Sequence, residues 1–147
     1  MYLFTVRADV GASPGRVWRA LCDPTEVAEW DTGIVEAIDA PADYPQPGQH
    51  VQWRYANGPY RTLHDRPQEV VAERTLRSLI TVGPTEMDET YTLEAIDGGT
   101  HLTARMLVRV TWPIVGMVAE RAMFGPAARR AVTASLAAIK VHCERRD

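Results

Sequence analysis

This 147-residue sequence contains only two cysteines, and its positively charged residues do not outnumber its negatively charged ones. The two cysteines, Cys22 and Cys143, form no disulfide framework and no metal-binding spacing, although they leave one disulfide open. The formal net charge of -3 argues against a nucleic-acid partner, because binding to phosphate usually requires a basic surface. A protein with few cysteines and no disulfide framework usually keeps its thiols reduced, as in the cytoplasm. We therefore expect a cytoplasmic protein.

Long hydrophobic runs are also missing. No stretch approaches the roughly 18 apolar residues of a membrane span. The first ten residues, MYLFTVRADV, carry the charges of Arg7 and Asp9 and therefore lack the apolar core of a signal peptide. The sequence also contains no H-E-x-x-H or C-x-x-C motif, phosphate-binding glycine loop, nucleophile elbow or dinucleotide fingerprint. We therefore expect neither a metal nor a cofactor.

The patterns that are present predict a single α+β domain over residues 1–147. Residues 2–10 alternate as a strand, and ASPGRVWRALCDPTEVAEW (12–30) then contains two short helical patterns. Each pattern begins with a capping residue and a proline, Ser13-Pro14 and Asp23-Pro24, and Glu26, three residues after Asp23, completes a pair that is similar to a capping box. About six strands follow, and residues 126–145 form a long C-terminal helix with apolar residues at helical spacing.

The two strands around Asp97-Gly98-Gly99 have the clearest alternation. In 100–111 the apolar residues point one way and the charged residues the other, which is typical of an antiparallel sheet with one buried face. The strand near 60–72 is ambiguous, because Pro67 implies an edge strand or a bulge and leaves its register open. The apolar stretch 113–124 fits a mobile gate, a dimer contact, a membrane-surface patch or ordinary core.

This order of elements resembles the START-like (SRPBCC) superfamily and, within it, the polyketide cyclase/dehydrase-like proteins. The resemblance rests on residues 12–30, on GGTHLTARM (98–106) and on the terminal LAAIKVHCERR. It implies a helix-grip fold, in which a curved antiparallel seven-stranded sheet surrounds the C-terminal helix and two short helices connect strands 1 and 2. It also implies a cavity for an apolar molecule such as a lipid, sterol or polyketide.

Aromatic and apolar side chains on the inward face are the candidate ligand contacts. These side chains either line a cavity or fill the core, since in this architecture the same face of the sheet forms the core and the wall of the cavity. The expected set comprises Trp30, Trp53, Tyr55, Ser78, Tyr91, Met106 and Val108.

Glu89 is the strongest candidate for acid/base chemistry. It shares its phase with the apolar Met87, Tyr91 and Leu93, and a carboxyl group on an apolar face tends to have a raised pKa. A bulge that turns Glu89 outward, or an ion pair with Arg54 or Arg74, are the alternatives. His64 is the second catalytic candidate, although the direction of its side chain depends on the open register near Pro67.

Three functions remain open. The first is binding of a hydrophobic or aromatic small molecule between the sheet and the C-terminal helix, driven by apolar burial. The second is a cyclase or dehydratase that folds a polyketide-like substrate and moves protons through Glu89 or His64. The third is a protein-interaction or co-chaperone-like module, and a homodimer is possible.

Overall fold

The computed structural model describes residues 1–111 and 123–145. Their secondary structure runs in the order β1 (Tyr2–Val10), α1 (Pro14–Cys22), α2 (Pro24–Trp30), β2 (Ile34–Ala37), β3 (Val51–Tyr55), β4 (Thr62–Val71), β5 (Thr75–Val82), β6 (Thr85–Ile96), β7 (Gly99–Val110) and α3 (Gly125–Glu144). The strands form a seven-stranded antiparallel curved sheet in the order β1-β7-β6-β5-β4-β3-β2. The predicted helix-grip fold is therefore confirmed. No helix in the two described ranges is long and apolar enough to cross a membrane.

The two short helices begin where the sequence predicts. The Ser13 hydroxyl accepts a hydrogen bond from the Arg16 amide (3.2 Å), and the Asp23 carboxylate accepts one from the Thr25 amide (2.9 Å). Each cap satisfies a backbone N–H that has no partner inside its helix, and the following proline lacks the N–H altogether. The expected capping box is wrong in one respect, because the Glu26 side chain does not bind the Asp23 amide.

Glu26 instead connects the helix pair to the C-terminal helix. Its carboxylate accepts hydrogen bonds from Arg16 (2.8 Å) and Arg19 (3.0 Å) and contacts His142 Nε2 at 2.8 Å. Burial alone would raise the pKa of Glu26, but the hydrogen bonds of His142 and Arg16 and the charge of Arg16 outweigh burial and lower it. The contact fixes α2 against the last turn of α3.

The core lies between the inner face of the sheet and α3. Helix α3 buries Val132, Leu136, Ile139 and Cys143, the residues whose spacing predicted the helix. Strand β7 buries the alternating set Leu102, Ala104, Met106, Val108 and Val110. The charged residues of β7 lie on the outer face, where His101 contacts Asp9 (2.6 Å) and Arg109 pairs with Glu86 (2.6 Å).

Pro67 produces a bulge, one of the two alternatives that the sequence allowed. The register of β4 against β5 shifts between Pro67 and Glu69, and the pairing of β4 with β3 ends at Asp65. Pro67 therefore faces no strand on the β3 side, where its missing N–H would otherwise break a ladder. This register directs Asp65 to the inner face and His64 to the outer face.

The apolar stretch 113–124 falls mostly outside the described residues. Its residues 113–122 are not described, so the gate, dimer, membrane-surface and core alternatives stay predictions. Of the two described residues, Met123 is exposed and Phe124 lies at the pocket treated below.

Candidate ligand-binding pocket

A pocket lies between the inner face of the sheet, the helix pair and α3. The described residues enclose a volume of about 790 Å³, which falls within the range of small-molecule sites. The helix pair contributes Leu21, Val27 and Trp30, and α3 contributes mainly small side chains such as Ala128 and Ser135. The remaining wall is formed by the inner face of strands β3 to β7, by residues 31–34 after α2, by Tyr44, and by the turn at residues 57–60 between β3 and β4.

Six of the seven side chains predicted to contact a ligand line this pocket. They are Trp30, Trp53, Tyr55, Ser78, Tyr91 and Met106. Val108 lies on the same face of β7 as Met106, but it is completely buried in the packed core and presents no surface to the pocket. A role of these six residues in ligand binding stays a prediction.

Trp30 is held rigidly at the end of α2. Its indole Nε1 donates a hydrogen bond of 2.8 Å to the Ala20 carbonyl, which lies in the last turn of α1 and has no partner within that helix. The side chain is only 6% exposed and forms part of the core cluster. One aromatic wall of the pocket is therefore fixed before any ligand arrives.

Glu89 faces the pocket from the middle of β6, as its phase predicts. It lies opposite Ser78 on β5 and Met106 on β7. The alternative of an ion pair with Arg54 or Arg74 is not seen in the described part of the chain: Arg54 pairs with Glu36 (3.0 Å), and no described side chain donates a hydrogen bond to Glu89. Glu89 is partly buried, and the part of its side chain that stays accessible to solvent faces the pocket rather than the outer surface.

Burial dominates the electrostatics of Glu89. Loss of solvation, followed by the negative charges of Asp65 and Asp31, raises the pKa of its carboxyl group from 4.5 to about 8. The group is therefore mostly protonated at neutral pH and can donate a hydrogen bond into the pocket.

Asp65 is a second acid in the pocket that sequence reasoning missed. It is 4% exposed, and its Oδ2 accepts hydrogen bonds from the Tyr44 hydroxyl (2.6 Å) and from Trp53 Nε1 (3.2 Å). Its Oδ1 has no hydrogen-bond partner among the residues described. Burial raises the pKa of Asp65, and the hydrogen bonds from Tyr44 and Trp53, together with the nearby Ser78 hydroxyl, partly offset that rise.

Tyr44 was missed as well. It lies in the proline-rich segment between β2 and β3, and its ring contacts the edge of the Trp53 ring with the centroids 5.8 Å apart. Burial, together with the neighbouring Asp65 carboxyl, raises the pKa of Tyr44 well above 10, so its hydroxyl stays a donor at ordinary pH. No periodicity could place a side chain of this irregular segment in the pocket.

His64 does not belong to this site. It lies on the outer face of the sheet, where its Nδ1 is 2.8 Å from Nε2 of His50. The placement of His64 as the second acid/base group of the pocket is therefore corrected. The register that follows from the bulge after Pro67 directs Asp65, rather than His64, to the inner face of the sheet.

The pocket combines a large apolar surface with a few acidic and hydroxyl groups. A protonated Glu89 and the acceptor Asp65 can hydrogen-bond a ligand and can in principle move a proton on a bound carbonyl compound. The cyclase or dehydratase hypothesis nevertheless stays a prediction. Across residues 1–111 and 123–145, no group of three His, Cys, Asp or Glu side chains is arranged to hold a metal ion.

Comparison with known proteins agrees with this geometry. The family described as polyketide cyclase/dehydrase and lipid transport matches residues 1–144, whereas no curated protein matches the chain. A protein from Chromobacterium violaceum has a TM-score of 0.79, with 20% identity and 99% of both chains covered. The Aha1 dimer from Colwellia psychrerythraea has a TM-score of 0.76, with 16% identity and coverage of 98% of this chain and 97% of that chain. At such identities the structural likeness establishes the fold alone.

Proposed function

Because the chain belongs to the polyketide cyclase/dehydrase and lipid transport family, we propose that it binds a hydrophobic or aromatic small molecule, of lipid or polyketide type, in the pocket between the sheet and α3. The observation that carries the proposal is the pocket itself, with its volume of about 790 Å³ and its aromatic walls. The proposal takes residues 1–147 as one ligand-binding domain in the cytoplasm. The free thiols of Cys22 and Cys143 support that location.

Apolar burial supplies most of the affinity in this proposal. A ligand that buries roughly 200 Å² of apolar surface gains about 5 kcal/mol at about 25 cal/mol per Å². A single neutral hydrogen bond contributes only about 1 kcal/mol net. The polar groups Glu89, Asp65 and Ser78 therefore orient the ligand, while Trp30, Tyr91 and the other apolar walls hold it.

The test is to fill the pocket from α3. Ala128 is half-buried and lines the pocket, so Ala128→Trp places an indole where the ligand would lie. We expect this variant to bind N-phenylnaphthylamine, an uncharged fluorophore, at least about tenfold more weakly than the wild type, a loss of about 1.4 kcal/mol. The fluorescence increase during titration measures the affinity.

Ala137→Trp is the matched control. Ala137 lies on the same helix but is exposed and outside the pocket, so the same substitution there should leave the affinity unchanged. Circular dichroism confirms that both variants retain the fold. Equal affinity in all three chains would show that the probe binds elsewhere, and no binding to the wild type would show that the pocket does not accept an apolar molecule. Either result contradicts the proposal.

A further inference from the structure

The charged groups of the pocket all have the same sign. Three carboxyl groups line it, those of Asp31 at the end of α2, Asp65 on β4 and Glu89 on β6. No lysine, arginine or histidine lines it among the residues that the structure describes. Three separate segments of the chain therefore bring acids to one surface without a counter-charge, which is unfavourable for the ionised carboxylates unless they stay protonated or a bound molecule supplies a positive charge.

Two of these acids have acceptor atoms without a described partner. Glu89 accepts no hydrogen bond from any described side chain, and Oδ1 of Asp65 is buried without a partner in the described ranges. By contrast, Asp31 is partly satisfied by the Gly33 amide, which donates to its Oδ1 over 2.9 Å. Acceptor atoms left unpaired in a buried site cost free energy that a ligand with donor groups would recover.

We propose that the ligand of this pocket carries a basic amine, whose ammonium group binds Glu89 in the field of Asp65 and Asp31 while its apolar body lies against the aromatic walls. This inference rests on the proposed function and specifies the ligand class. Trp30, Trp53, Tyr55 and Tyr91 line the same pocket, and the faces of such rings attract cations. Carboxylate ligands such as fatty acids would instead meet three acids and, among the described residues that line the pocket, no cation.

Proton release is the signature of this binding mode. At pH 7 Glu89 holds its proton, because burial and the charges of Asp65 and Asp31 raise its pKa to about 8. An ammonium group favours the ionised carboxylate, so the complex releases close to one proton per ligand bound. Affinity for the amine should therefore rise between pH 6 and pH 8 by up to about tenfold per pH unit, and should level off above pH 8.

The other ionisable groups that line the pocket are acids as well, and burial also raises the pKa of Asp31 and of Asp65. On the surrounding elements these are carboxyls and phenols, namely Asp31, Asp65, Tyr44, Tyr55, Tyr60 and Tyr91, while α3 contributes no charged residue to the pocket. Burial keeps the pKa of Tyr44 and of Tyr91 well above 10, so neither phenol ionises between pH 6 and pH 8. His50 interacts with Asp65 from the outer face of the sheet.

The experiment compares three probes that differ only in their polar end: naphthylethylamine, naphthylethanol and naphthylacetate. Isothermal titration calorimetry at pH 8 should show the amine binding at least about tenfold more tightly than the alcohol, with the carboxylate the weakest. In Glu89→Gln the preference for the amine should fall to within about threefold, while the alcohol still binds. Glu94→Gln, which changes an exposed residue of the same strand, should retain the preference.

Titrations of the wild type at pH 7 in phosphate and in Tris measure the proton independently of any variant. The two buffers differ in ionisation enthalpy, so the difference in binding heat gives the number of protons released. Equal affinities for amine and alcohol, or no proton release, would overturn this inference and leave the proposed function standing. Failure of all three probes to bind would contradict both.

Discussion

Replacing Glu89 by glutamine is expected to stabilise the ligand-free protein at pH 8 and to change its stability little at pH 4.5. The folded state raises the pKa of this carboxyl group from 4.5 to about 8. Between these two values the unfolded chain has lost the proton and the folded protein still holds it, so stability falls as pH rises. At about 1.4 kcal/mol per pH unit, the wild type carries a penalty of about 4 kcal/mol at pH 8 that Glu89→Gln removes.

The measurement is thermal unfolding of both proteins from pH 4.5 to pH 8. For a chain of this size, about 4 kcal/mol corresponds to a melting temperature higher by roughly 12 °C in the variant at pH 8. Only the difference between variant and wild type is used, because other carboxylates titrate in both. Glu94→Gln, an exposed change on β6, should track the wild type at every pH. A difference for Glu89→Gln that is constant over the pH range would show that Glu89 is not a buried, unpaired acid.

Replacing Gly99 by alanine is expected to destabilise the fold by at least about 3 kcal/mol. A Cβ at position 99 would overlap the backbone carbonyl oxygen of Val10, and neither backbone can move without breaking the pairing of β1 with β7. The neighbouring Thr100, which is completely buried, donates a hydrogen bond of 2.7 Å to the Ala12 carbonyl. The same shift would lengthen that bond, and urea unfolding measures the combined loss.

Gly11→Ala is the matched control for Gly99→Ala. A Cβ on Gly11 would come within 3.3 Å of Glu144 Oε2, the end of an exposed side chain that can shift slightly while it keeps its hydrogen bonds from the Gly11 amide and Lys140. We expect a cost of under about 1 kcal/mol, because a movable side chain relieves the contact. If both variants lose similar stability, the close approach of β7 to the end of β1 does not explain the glycine at position 99.

The sequence predicted those parts of the site that lie on regular strands. Met87, Tyr91 and Leu93 define one face of β6, and a side-chain period of two then places Glu89 on that face without ambiguity. The same rule predicts Met106. Periodicity gives a face but not a depth, so it could not distinguish Met106, which lines the pocket, from Val108, which is completely buried.

The rest of the site depends on features that periodicity does not carry. The bulge after Pro67 decides whether Asp65 or His64 faces inward, and only pairing with the neighbouring strands fixes that choice. Leu63 is the one signal that could have revealed it, because an apolar residue two positions before Asp65 suggests a shared face. Tyr44 lies in an irregular segment, and its meeting with Asp65 is a tertiary contact between residues 21 positions apart.

The proposed pocket is tested most directly by locating a bound apolar molecule in the protein. The chain contains five methionines, of which Met87 and Met106 line the pocket and Met1 lies exposed before β1. With 13C-labelled methionine methyl groups, each signal is assigned by replacing one methionine with leucine. After N-phenylnaphthylamine is added, nuclear Overhauser effects should connect the aromatic protons of the probe to the methyl groups of Met87 and Met106 and not to that of Met1. Contacts at Met1 with none at Met87 and Met106 would contradict a ligand-binding pocket between the sheet and α3.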